Sequence, residues 1–306
     1  MPSPNWLQRL WNSDLAYSFR QSKVTVIAGL VSFMYIFGAL FAPWIAPHDP
    51  YDLASLNLLD AFTPPAWVED GNPEFLLGTD NLGRDVLSTI IHGSRISLGV
   101  GIISVLIAAT IGVSLGLVSG YVGGKTDAVI MRIAEIQLSF PDILIALLID
   151  GTIRSFVGSE VHAEIAFIVV ISAISLSYWV QYARTVRGAV MVEKNKEYVQ
   201  AARVIGKSPF YIMSRHLLPN VMGPVLVIAT INLALAIITE ATLSFLGVGI
   251  PPTQPSLGTL IRIGNDFLFS GEWWIAIFPG AALAIMGLSV NLLGDWLRDA
   301  LNPKLR

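Results

Sequence analysis

The sequence predicts an all-α membrane protein with six transmembrane helices and both termini on the cytoplasmic side. Composition, the spacing of charged residues and the placement of lysine and arginine carry that prediction. Of 306 residues, 54% are hydrophobic and 13% charged, and the mean hydropathy is +0.64, whereas soluble domains carry about 25% charged residues. A single water-soluble core cannot hide that much apolar surface, so lipid must cover it. The net charge of −3 on its own argues neither for nor against a nucleic-acid partner, since a near-neutral sum reveals no basic face. The absence of cysteine excludes disulfides and thiolate metal sites. Four scattered histidines, His48, His92, His162 and His216, lack the spacing of metal ligands.

A spanning helix needs about 20 mostly apolar residues. Val24–Pro47, Ile96–Gly124, Ile165–Ala183, Val221–Thr239 and Trp273–Leu293 contain no Asp, Glu, Lys or Arg, and each predicts one span. The first is longer than the 7–15 residues of a signal-peptide core, which makes it an anchor. Ala128–Asp150 is apolar but carries Arg132, Glu135 and Asp142, and parity makes it the sixth span. With both termini inside, fifteen lysines and arginines lie on cytoplasmic segments. Four, Arg84, Arg95, Arg154 and Arg262, lie outside, the bias that retains basic loops in the cytoplasm.

Residues 1–23 read as a cytoplasmic N-terminal segment, in which Leu7, Leu10, Trp11 and Leu15 recur at helical spacing. An interfacial helix and a disordered leader both fit that pattern. Residues 24–306 read as the transmembrane domain, with an outer loop 48–92 and a cytoplasmic loop 184–220. The outer loop holds eight acidic residues and one arginine and reads as a folded loop.

The cytoplasmic loop is the most informative stretch. Tyr198, Ala201, Ala202 and Ile205 fall at i, i+3, i+4 and i+7, one face of a helix, with the small Ala201 and Ala202 expected at the exposed face. Gly206 stands where the helix would end in a left-handed conformation. Ser208 then offers a cap and Pro209 suits the first position of a second helix, which is expected to stop before Pro219. Two readings follow from the chemistry: a hairpin resting on lipid headgroups, or a docking element for a soluble partner.

Here three stretches, in order along the chain, carry a resemblance. Gly78-Thr-Asp-x-x-Gly-Arg-Asp85, followed by Ser88, Gly93, Arg95 and Ser97-Leu98, is similar to the segment before the second span in the dipeptide, oligopeptide and nickel permease family of ABC importers. Gln200-Ala201-Ala202-x-x-x-Gly206-x9-His216-x-Leu218-Pro219 resembles the coupling helix that such permeases seat in a groove of the ATPase. Leu243-Ser-Phe-Leu-Gly-Val-Gly249, Pro251-Pro252 and the tail Asn291 to Lys304 resemble the C-type subunit of that family. Gln200 stands where the family has glutamate, and His216 where it has an apolar residue.

The resemblance implies a type I ABC importer permease of the bacterial inner membrane that moves peptides, or alternatively nickel or another small solute. It implies a second homologous permease, two cytoplasmic ATPases and an external solute-binding protein as partners. It implies no cofactor on this chain, with ATP and magnesium on the ATPase subunits. Tyr198, Gln200, Ala201, Ala202, Gly206, Ser208, Pro209, His216, Leu218 and Pro219 become the coupling residues. Two near-matches to a phosphate-binding loop, Ser119 to Thr126 and Ala201 to Ser208, follow no strand and lack the first glycine, so this chain is not expected to hydrolyse ATP.

Charges within spans are costly and need a reason. Glu135, three residues after Arg132, is placed to pair with it. Asp142 reads as mid-span, sheltered by a water-lined path or a helix contact. Glu240 reads as the outer end of the fifth span, facing the translocation opening. A proton-driven transporter using Asp142 or Glu240 is the competing hypothesis, although no convincing inverted repeat accompanies it. A membrane-embedded enzyme is a third, for which no motif is present.

Overall fold

The computed structural model describes residues 14–52 and 56–301. Among these the regular secondary structure is helical, and the only β pairing is an isolated bridge between Thr79 and Asp85. Membrane chemistry explains this, because a helix satisfies its own backbone polar groups where no water can. A short helix α1 (Asp14–Gln21) leads into α2 (Lys23–Leu40), capped by the Ser22 hydroxyl, which accepts from the Thr25 N–H at 3.2 Å. Of the expected N-terminal helix, Leu7, Leu10 and Trp11 lie outside the described residues. A four-residue turn α3 (Ala42–Ile45) ends this arm.

The outer loop folds around charged groups that sequence reading had no means to pair. Gly78 and Gly83 take positive φ of 80° and 76°. Between them Asp80 is almost wholly buried; its carboxylate accepts from the Leu82 and Arg84 N–H groups at 2.8 and 3.0 Å and from Arg84 Nε at 2.7 Å. Trp274 Nε1 donates to the Thr79 carbonyl at 3.0 Å and fastens the loop to the last span.

Asp85 then caps α4 (Val86–Val122), its Oδ2 accepting from the Ser88 N–H at 2.8 Å. This helix begins ten residues before the expected Ile96, because an acidic N-cap and a polar first turn start it in the headgroup region. Its 37 residues reach about 55 Å, beyond a hydrocarbon core of about 30 Å.

The sixth predicted span is broken. α5 (Gly124–Leu138) and the first limb of α6 (Asp142–Glu193) meet at 91°, because Pro141 disfavours helical geometry in the residue before it. α6 is not one straight rod. The Ser177 hydroxyl lies 3.5 Å from the Asp142 carbonyl, whereas a straight helix would separate these residues by about 50 Å. Its limbs 142–157 and 164–193 therefore return on one another. Among the described residues, five helices are long and apolar enough to cross a membrane, or six if the bent pair counts as one span.

After two short helices come α9 (Leu218–Phe245), a half-length helix α10 (Leu257–Asn265) capped by Ser256, and α11 (Trp274–Leu301). The main core lies between α4, α6 and α9, where Val100, Val170, Ile174, Tyr182, Val186 and Leu243 are buried. α4 and α6 approach through Gly112, Gly116 and Gly120, where any Cβ would strike the backbone or side chains between Trp179 and Val190. Small residues permit this close helix packing in lipid.

Candidate functional site

The segment expected on the cytoplasmic side forms a knuckle of two short helices. α7 (Glu197–Val204) ends in two hydrogen bonds that satisfy its orphan carbonyls: the Gly206 N–H donates to Arg203 O at 2.9 Å, and the Lys207 N–H donates to Ala202 O at 3.0 Å. Gly206 has φ +81°, and no atom lies within 4 Å of where its Cβ would be. Backbone conformation, rather than lack of space, therefore demands glycine there. α8 (Pro209–Tyr211) starts at once, with the Ser208 hydroxyl accepting from the Tyr211 N–H at 3.3 Å and Pro209 in the first turn.

Two expectations for this segment need correction. Ala202 is buried, and with Val199 it forms the inward face of α7; Ala201 is exposed. Tertiary packing chose the i, i+3 pair Val199 and Ala202, because Ile212, Leu217 and Val221 offer an apolar bed. The second helix also does not stop before Pro219. A π-helical turn, Ile212–Leu217, carries it straight into α9, with the Leu218 N–H donating five residues back to Met213 O. This wider turn shifts the hydrogen-bond register, so the missing N–H of Pro219 and its ring are accommodated.

The knuckle sits on the inner ends of the long helices. Arg187 of α6 grips Asp127 of α5 with two bonds of 2.5 and 2.6 Å, Ser119 of α4 donates to the same carboxylate, and Lys194 Nζ donates to Gly120 O at 2.7 Å. Tyr198 donates to Glu193 Oε1 at 2.6 Å and accepts from Asn220 Nδ2 at 3.2 Å. Burial, with the Glu193 carboxylate adding to it, pushes the Tyr198 hydroxyl up to about 12, so it stays a donor at cellular pH. His216 lies between aromatic rings, 5.6 Å from Tyr211 and 6.0 Å from Tyr198. Gln200 Nε2 reaches Lys194 O at 3.4 Å, while Leu218 is half-buried and Pro219 exposed.

What the knuckle presents to water is apolar. Val204 is 88% exposed, Ile205 73% and Phe210 77%, clustered around the Gly206 turn. Large apolar side chains grouped at a tip mark an interaction surface. Val204 and Phe210 were not singled out from the sequence; their signal is an apolar residue on either side of a Gly-Lys-Ser-Pro turn.

The three charged candidates have separate environments. Glu135 is exposed and pairs with Arg132 at 3.5 Å. Asp142 lies at the middle of the bent pair 124–157, where it opens the first limb of α6 at the 91° bend and the helix N-terminus favours a negative charge. Glu240 is fully buried, not at the outer surface, and α9 continues past it to Phe245. Its carboxylate accepts from Ser97 Oγ of α4 and Ser244 Oγ, both at 2.7 Å. Ser97 also accepts from the Leu257 N–H at 3.3 Å, and Ser244 from the Ile250 N–H at 3.0 Å. Glu240 thus joins α4, α9 and the half-helix α10. Ser97 and Ser244 fell inside noticed motifs; Ser244 stands at i+4 from Glu240 on one helix, but no sequence spacing ties Ser97 to it.

Residues 112–306 match the family described as the binding-protein-dependent transport system inner membrane component. Residues 9–65 match the N-terminal TM domain of oligopeptide transport permease C. The di/tripeptide transport system permease protein DppC of Pseudomonas aeruginosa is 40% identical over 305 residues, covering all of this chain and 94% of that protein. The oligopeptide transport system permease protein OppC of Bacillus subtilis is 35% identical, covering 97% of this chain and 90% of its own length. Among solved structures, an inward-facing MetNI methionine ABC transporter aligns with a TM-score of 0.54 at 21% identity, covering 70% of this chain and 96% of the matched one; that likeness is one of fold.

Proposed function

The chain belongs to the binding-protein-dependent inner-membrane transport family, and from that membership we propose that it forms half of an ATP-driven import path for peptides. It is a multi-pass permease of the inner membrane. Peptide is the solute class because the full-length relatives are named for di-, tri- and oligopeptides.

The observation that carries the mechanism is the knuckle at residues 197–217 with its exposed apolar side chains. Its inward face is packed on the span ends, and its tip leaves Val204, Ile205 and Phe210 in water. A separate ATPase subunit fits that surface. Closure of an ATPase pair would push the tip, and the continuous helical path from Pro209 to Phe245 would carry the displacement into the membrane. Such a subunit biases a two-state bundle between inward and outward openings. Glu240 would hold α10 to α4 and α9 during that motion.

In this reading the chain performs no catalysis and binds no cofactor, while ATP and magnesium stay on the ATPases. A second permease completes the path and an external binding protein delivers the peptide. The test is reconstitution of the complete transporter in vesicles with dipeptide uptake and ATP hydrolysis measured together. Uptake should require the ATPase subunits. ATP-independent uptake by this chain alone would contradict the proposal.

A further inference from the structure

A groove of about 890 Å³ opens in the outer half of the molecule where α2, the segment after it and α4 meet. Its walls change character along the chain. On α4 the lining runs from His92 and Arg95 to Ile102, and on the first arm from Tyr51 and Asp49 back to Leu40 and Ile36, with Gln254 and Phe167 completing the polar and apolar parts. The charge-free part of α4 begins at Ile96 and α2 ends at Leu40, so Arg95 marks the outer boundary of the hydrocarbon core. The change from polar to apolar wall therefore coincides with the passage from headgroups to acyl chains.

The rim carries two opposite charges. Arg95 and Asp49 make no ion pair among the described residues, and both act electrostatically on Tyr51, whose ring meets His92 edge-on at 5.2 Å. The apolar half of the groove is continuous with the outward face of α2, where Phe33, Phe37 and Leu40 are exposed. That face is built for lipid, and a path for a hydrophilic solute would not be walled by Ile36, Leu40, Ile102 and Phe167.

We propose that this groove binds one zwitterionic phospholipid of the outer leaflet, with its phosphate on Arg95, its ammonium on Asp49 and an acyl chain between α2 and α4. Charge complementarity selects the headgroup: an anionic lipid would satisfy Arg95 and leave Asp49 opposed, whereas an ethanolamine head supplies both signs.

The test uses the full chain in phosphatidylglycerol vesicles doped with a photoactivatable phosphatidylethanolamine, with the labelled peptides mapped by mass spectrometry. Labelling should concentrate on residues 36–40 and 99–102. Arg95→Gln and Asp49→Asn should each lower it by about five-fold or more. Ile102→Trp, which fills the apolar half and leaves both charges, should lower it as well, with the helical circular dichroism of all three variants unchanged. Wild-type labelling in Arg95→Gln, or labelling spread evenly over the outward face of α2, would overturn the proposal. Displacement of the probe by a dipeptide would assign the groove to the transported solute instead. Loss of the probe on assembly with the second permease would assign it to a subunit interface.

Discussion

Gly206 concentrates the account into one residue. Its φ of +81° is a conformation that costs a β-branched residue about 1–2 kcal/mol, and open space around it means that no clash adds to this. Gly206→Val should therefore leave membrane insertion and overall folding intact while changing the angle at the knuckle. In the reconstituted transporter it should lower uptake per ATP hydrolysed, and an unchanged ratio would separate the turn from coupling. Glu240 behaves differently because it is buried. Glu240→Ala would strand the Ser97 and Ser244 hydroxyls, each hydrogen bond contributing about 0.5–1.5 kcal/mol, and should lower the thermal midpoint in detergent. Glu240→Gln retains an acceptor oxygen and should lose less. The left-handed glycine was legible in the sequence, because a glycine after an apolar helical face and before Ser-Pro has few other meanings. The burial of Glu240 was not, since its partner Ser97 lies 143 residues away on α4 and is itself held by the Leu257 N–H of α10.

At the scale of elements, the junction of α4 and α6 depends on glycines that hydropathy does not distinguish from any other apolar position. A Cβ at Gly116 would stand 2.6 Å from the Ala183 carbonyl oxygen, whereas one at Gly188 would meet nothing within 4 Å. Gly116→Val should destabilise by about 1–3 kcal/mol or more through overpacking, and Gly188→Ala should be neutral or mildly stabilising; thermal unfolding in detergent separates the two. The existence of the spans was readable because runs free of charge are long. Their limits were not, because a cap fixes the start of α4 at Asp85, a π turn carries the helix past Pro219, and Pro141 breaks the span that parity had made whole. The inward turn of Ala202 was hidden for a related reason: a helix surrounded by apolar residues on several sides does not announce which stripe is buried.

For the molecule as a whole, the uneven placement of lysine and arginine predicts a cytoplasmic knuckle, and the fold gives that placement a mechanical consequence. Arg187, Asp127, Ser119 and Lys194 tie the inner ends of α4, α5 and α6 together, so a push on the knuckle meets a braced base. Arg187→Ala should leave Asp127 without its main partner and loosen that base. The expected result is ATP hydrolysis retained with uptake reduced, measured in the same vesicles; full uptake would remove the brace from the account. The chain contains no cysteine, so single cysteines report without background. The most direct measurement is cross-linking from Phe210→Cys and Val204→Cys in the assembled transporter in native membranes. The account predicts cross-links to the ATPase subunits from both positions, with no labelling by an impermeant thiol reagent added outside. Labelling from the outer side, or insertion and assembly with no cross-link to an ATPase, would contradict it.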